Sequence, residues 1–170
     1  IQEARATFEE AIELDPADPL PRLGLGLAKI RRNELAEGRR DIEIAASLDP
    51  DNALVRSYLG KAYFEEKRGR LASASFRLAK QLDPNDPTPW FYDAIYKQSV
   101  NRPVEALRDL RKSIELNDNR AVYRSRLLLD DDLAARSTSL GRIFTDLGFE
   151  QLALVEGRKS VTVDPSNASG

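Results

Sequence analysis

An Asp-Pro pair returns along this chain with a fixed period: Asp15-Pro16, Asp49-Pro50 and Asp83-Pro84 are each 34 residues apart. The next step of 34 lands on Asn117-Asp118, which follows Leu116 as each earlier pair follows a leucine. A last pair, Asp164-Pro165, comes 47 residues later, one period plus 13. Proline ends a helix and drives the residue before it into extended backbone, so each pair marks a break between helical segments. A period of this length implies one small unit repeated, each burying its apolar face only by stacking on its neighbours.

Other residues recur in phase with the breaks. Ahead of each runs a small, large, small, aliphatic series: Ala4, Phe8, Ala11, Leu14; then Gly38, Ile42, Ala45, Leu48; then Ala72, Phe76, Ala79, Leu82; then Ala106, Leu110, Ser113, Leu116. Spacings of 4, 3 and 3 hold each set on one helix face. The small residues let a second helix approach closely, and the large one fills the space beside them. After each break a new helix starts at Asp18-Pro19, Asn52-Ala53 and Asp86-Pro87, an N-cap acceptor followed twice by proline at the first helical position. Leu25-Gly26, Leu59-Gly60 with Tyr63, Trp90 with Ala94, and Leu140-Gly141 with Phe144 mark the inner face of these second helices.

Together these residues resemble the tetratricopeptide repeat family, whose pattern is Trp, Leu-Gly and Tyr on a helix A, then Ala, a large apolar residue, Ala and Pro on a helix B. Trp90 matches the first position, Leu59-Gly60 and Tyr63 the next, and Ala72, Phe76, Ala79 and Pro84 the remainder. The resemblance implies an all-α, right-handed superhelical solenoid of antiparallel helix pairs. About four full repeats follow a leading half-repeat. The phase divides residues 1–170 into a half-repeat at 1–18, repeats at 19–52, 53–86 and 87–120, a 13-residue insert at 121–133, and a repeat at 134–167. Three positions depart from the pattern: Lys97 stands where an aromatic is usual, Asp118 replaces proline, and Gly157 replaces a large residue in the last helix B. In the insert, Leu127-Leu128-Leu129 is read as a strand-like segment or an extra helical turn. Asp130-Asp131-Asp132 is read as N-cap and dipole complement for the helix after it. With no polar capping helix at either end, the chain reads as a segment of a longer solenoid.

Composition narrows the function. The chain has no Cys, Met or His and a net charge of −2. That removes thiolate chemistry, the commonest general base and the commonest zinc ligands. The slightly acidic balance argues against nucleic acid as a partner, and no apolar run reaches membrane-spanning length. Gly24-Leu25-Gly26 begins like a dinucleotide fingerprint, but it lies in a helical repeat, follows no strand and lacks the third glycine. The expectation is a non-enzymatic chain with no cofactor and no metal.

In the family resembled, helix A of each repeat lines a concave groove that holds peptides. Carried over by phase, the candidate groove residues are Leu20, Leu23, Leu27 and Ile30 in the first full repeat, and Leu54, Ser57, Lys61 and Phe64 in the second. The third contributes Thr88, Phe91, Ile95 and Gln98, and the last Ala135, Thr138, Arg142 and Thr145. Only Lys61 and Arg142 are basic, which argues against a clamp for a peptide's terminal carboxylate. An apolar groove implies a protein or peptide partner with an apolar face, and no nucleic-acid or membrane contact by this segment. A second resemblance runs from Asn119 to Ser160, similar to the final repeat of exported bacterial proteins whose chain continues into an outer-membrane barrel. It implies the alternative role of a structural periplasmic spacer or assembly arm and favours the cell envelope over the cytoplasm.

Overall fold

The computed structural model describes residues 2–116 and 126–163, with Gln2, 126–135 and Val163 described by backbone alone. The described residues form helices and turns, with no strand among them. In order the helices are α1 (Gln2–Leu14), α2 (Pro19–Arg31), α3 (Leu35–Leu48), α4 (Ala53–Glu65), α5 (Gly69–Leu82), α6 (Pro87–Ser99), α7 (Pro103–Glu115), α8 (Arg126–Asp146) and α9 (Glu150–Val163). They are gathered into two compact units, Ile1–Asp83 and Pro84–Gly170. Helices adjacent in sequence pack together within each unit, which makes this an all-α solenoid of helix pairs.

The starts and stops follow from local chemistry. The Asp18 carboxylate accepts from the Leu20 amide at 2.9 Å, Asn52 from the Val55 amide at 3.1 Å, and Asp86 from the Thr88 amide at 2.8 Å. Each satisfies one of the amides that a helix start leaves without an intrahelical partner. Within a pair, three residues reverse the chain, and the middle of the turn is left-handed: Asn33 (φ 66°), Lys67 (φ 60°), Asn101 (φ 57°) and Gly148 (φ 77°). The turn after α2 is a Schellman motif. The Asn33 amide donates to the Ile30 carbonyl at 2.9 Å and the Glu34 amide to the Lys29 carbonyl at 3.0 Å. The same two bonds recur at Lys67-Arg68, Asn101-Arg102 and Gly148-Phe149.

In the first unit α2 pairs with α3 and α4 with α5, while α3 packs on α4, α1 on α2, and α2 also reaches α4. Ile42, Ala45, Phe76, Ala72 and Ala79, all from the in-phase series, are fully buried. The closest crossing joins Gly26 of α2 to Gly38 of α3. A methyl group on Gly26 would meet the Gly38 carbonyl oxygen at 2.6 Å, and one on Gly38 would meet the Gly26 carbonyl oxygen at 2.5 Å. Neither position has room for a side chain. Gly24 serves a neighbouring contact, since the Phe8 ring of α1 lies 2.5 Å from where its Cβ would be. All of Gly24-Leu25-Gly26 is therefore helix-packing surface. The fourth member of the series varies: Leu14 and Leu48 are exposed, Leu82 is half-buried and Leu116 is buried.

In the second unit α6 pairs with α7 and α8 with α9, α7 packs on α8, and α6 also reaches α8. Ala94, Ala106, Leu110, Leu140, Ile143 and Phe144 form its core. Ser113 and Ser160 occupy the position held by Ala45 and Ala79 in the first unit, and both are completely buried. Their hydroxyls are satisfied there: Ser113 donates to the Pro87 carbonyl at 2.9 Å, and Ser160 pairs with Thr138 at 2.8 Å. Arg136 of α8 is 1% exposed, donates to the Ser113 hydroxyl at 2.7 Å and sits 5.0 Å from the centre of the Phe91 ring. One guanidinium thus ties α6, α7 and α8 together. From Arg126 onward the insert is helical, continuous with α8, so Leu127–Leu129 are helix and not strand. Asp130–Asp132 lie inside α8 and therefore do not cap its start; residues 121–125 of the insert fall outside the described residues.

Candidate functional site

Among α2 and α4 residues carried over by phase, the first unit sorts them by burial. Leu20 is 52% exposed. Leu27, Ile30 and Leu54 are half-buried and lean on the core cluster around Ile42 and Val55. Lys61 and Phe64 are half-buried too, with the Lys61 ammonium 3.3 Å from Glu65. Leu23 and Ser57, expected in the groove, are buried in this structure. Leu23 is 5% exposed and belongs to the core with Val55 and Leu59. Ser57 is fully buried and donates back to the Ala53 carbonyl at 2.8 Å. Leu23 faces the crevice between α2, α3 and α4, packed with Ile42, Val55 and Leu59. Neither Leu23 nor Ser57 has appreciable exposed surface in this structure.

The second unit shows the same division. Phe91, Ile95 and Gln98 are half-buried on α6, and Arg142 is exposed on α8. Phe91 is engaged with Arg136, and the Gln98 amide donates to Asp146 at 2.9 Å. Thr88 and Thr138 are buried, the first held by Asp86 at 2.6 Å, the second by Ser160. Thr145 is exposed and bonds the Gly141 carbonyl. The side chain of Ala135 falls outside the described ones.

Buried charge was not evident from the motif alone. Lys97 replaces the aromatic of helix A, and its ammonium lies 2.9 Å from Asp93 and 2.5 Å from Asp109. Both carboxylates are about as buried as the core, 6% and 5% exposed. Burial acts to lower the Lys97 pKa, but hydrogen bonds and attraction from Asp109 and Asp93 outweigh it and hold the pKa above its ordinary value. Two periods earlier Lys29 makes the same bond to Asp41 at 2.5 Å, joined by Arg22 at 3.3 Å. Between them, Tyr63 stands at the lysine position and donates to Glu43 at 2.9 Å; burial first, and then that bond, push its pKa up. Arg39 of α3 reaches Glu66 at the end of α4 at 2.9 Å. These carboxylates face cations in packed interfaces, an arrangement suited to holding helices and not to proton transfer. Among the described residues no acidic cluster could hold a metal ion, and no helix is long and apolar enough to cross a membrane.

A tetratricopeptide repeat family model matches residues 1–18. No curated protein matches the sequence. Several solved structures share the fold at low identity. The Cut9–Hcn1 hetero-tetramer of the APC/C superposes with a TM-score of 0.88 at 17% identity, covering 98% of this chain and 31% of that one. A thermophilic TPR protein of Thermus thermophilus, TTC0263, gives 0.80 at 14% identity, over 96% of this chain and 82% of that one. MamA of Desulfovibrio magneticus RS-1 gives 0.68 at 14% identity, over 98% and 87%. Likeness at these identities is likeness of fold, and with the family match it supports the tetratricopeptide resemblance.

Proposed function

We propose that this chain is a non-catalytic protein-interaction scaffold that takes a peptide or partner domain against the accessible side chains of its A helices. The observation that carries the reading is the split on α2 and α4. Core positions such as Leu23, Leu25 and Leu59 are closed, while Leu20, Leu27, Lys61 and Phe64 keep accessible surface. Apolar side chains left accessible on a rigid helical frame are what an apolar peptide face would cover. Each well-covered aliphatic or aromatic group contributes about 1.5–3 kcal/mol before ordering costs.

The test is a peptide-display selection against the full chain, followed by calorimetric titration of the selected peptide. Leu20→Asp and Phe64→Ala are expected to weaken binding about tenfold or more each, about 1.4 kcal/mol, with helical circular dichroism unchanged. Selection that yields no saturable binder removes the scaffold reading. Variants that bind as well as the parent remove these residues from it.

A further inference from the structure

The side of α7 opposite its core carries a second surface. Ala106, Asp109, Leu110 and Ser113 face inward, whereas Val104 is 62% exposed and Arg108 and Arg111 are exposed beside it. Spacings of three and four place Val104, Arg108 and Arg111 along one stripe. With Trp90, Leu107, Lys112 and Glu115 they line a groove of about 570 Å³. That volume lies within the range of pockets that hold peptide side chains and small ligands.

The groove has a distinct chemistry. Its floor is apolar, from Trp90, Val104 and Leu107. Its edge carries three cations against one carboxylate, and the Glu115 carboxylate is already 3.0 Å from Lys112. Arg111, exposed at the groove, also lies 6.0 Å from the centre of the Phe144 ring. The local sign is thus opposite to the chain's net charge of −2. We propose that this groove docks an acidic peptide segment of a partner protein, with one large apolar side chain against Trp90, Val104 and Leu107 and flanking carboxylates on Arg108 and Arg111. Arginine suits that task because its planar fork matches a carboxylate in two bonds. The chain's net charge of −2 argues against a nucleic-acid backbone as the occupant. The surface is separate from the A-helix residues assigned above, and neither reading depends on the other.

Trp90 is the only tryptophan in the chain, so its emission reads occupancy of the groove without a label. The full chain is titrated with a synthetic peptide in which Asp and Glu flank a Leu-Phe pair. Parallel titrations use the same peptide with every acid changed to Lys, and vesicles of anionic phospholipid. The acidic peptide is expected to shift Trp90 emission saturably, to weaken as salt rises, and to bind at least about tenfold more tightly than its basic counterpart. Arg108→Glu combined with Lys112→Glu is expected to cost at least about tenfold in affinity with unchanged circular dichroism, and Arg108→Gln alone a smaller part of it. The proposal is overturned if the two peptides bind alike, if neither shifts the emission, if the charge-reversed variant binds as the parent does, or if vesicles shift it and the acidic peptide does not.

Discussion

Placing a methyl group at the α2–α3 crossing sets two known effects against each other. Alanine is a better helix former than glycine, by about 0.5–1 kcal/mol in a helix interior. At Gly38, however, the new Cβ would lie 2.5 Å from the Gly26 carbonyl oxygen, 2.7 Å from Ile30 Cγ1 and 3.0 Å from the Ile30 amide nitrogen. Two of these three atoms are backbone and cannot rotate away. Restoring ordinary contact, about 3.5 Å, requires the helices to part by roughly 1 Å. In a packed core such a displacement costs about 1–3 kcal/mol and outweighs the propensity gain. Gly38→Ala is therefore expected to lose about 1–2 kcal/mol net. Gly26→Ala meets the same crossing from the other side and should lose a similar amount. Both methyl groups open one gap, so the double variant should cost less than the sum, with a coupling of at least about 0.5 kcal/mol. Gly141→Ala is the control, because its nearest neighbour would be the Ala153 carbonyl oxygen at 3.3 Å. Urea unfolding followed by circular dichroism measures all four. A Gly38→Ala chain as stable as the parent would refute the reasoning, and so would strict additivity.

Two other perturbations test the buried charges and the turns. Lys97→Met leaves Asp93 and Asp109 buried without their shared cation and should cost about 3 kcal/mol near neutral pH. Because folded Lys97 holds its proton more tightly than the unfolded chain does, its contribution is complete below the ordinary lysine pKa of about 10.4 and is lost as pH climbs through the raised folded value. The gap between parent and variant should accordingly narrow in alkaline urea melts, and a constant gap would exclude the linkage. Lys67 holds φ 60° with a side chain that disfavours it. Lys67→Gly should raise stability by up to about 1 kcal/mol in the same melts.

The helix pairs were legible because one signal, the 34-residue phase, set both the breaks and the buried small-and-large series. Asp18, Asn52 and Asp86 named the helix starts for the same reason. The left-handed turn residues were half legible: Asn33, Asn101 and Gly148 are types that accept positive φ, and Lys67 is not. The candidate surface was less so. Phase places Leu20 and Leu23 on the same helix. It does not say that Leu23 turns into the crevice shared with Val55 while Leu20 stays 52% exposed. That division depends on how a third helix packs, which local pattern does not carry. By motif alone Lys97 is an irregularity, yet its partner sits twelve residues on, and Lys29 and Asp41 repeat the same spacing two periods earlier. A comparison at twice the period finds that pair. Arg136 gave no signal, since a lone arginine in a charged stretch looks solvated until the Ser113 hydroxyl and the Phe91 ring close around it.

The alternation at the lysine position bears on how the helices find their proper mates. Lys29 meets Asp41 and Lys97 meets Asp109, while the intervening pair carries Tyr63 and, at the aspartate position, Ser75. If α2 closed on α5 in error, Lys29 would enter a packed interface opposite a serine; if α4 closed on α3, Asp41 would lose its cation to a phenol. Either mistake strands a charge away from water at a cost of several kcal/mol. The alternation therefore disfavours an exchange of helices between neighbouring repeats.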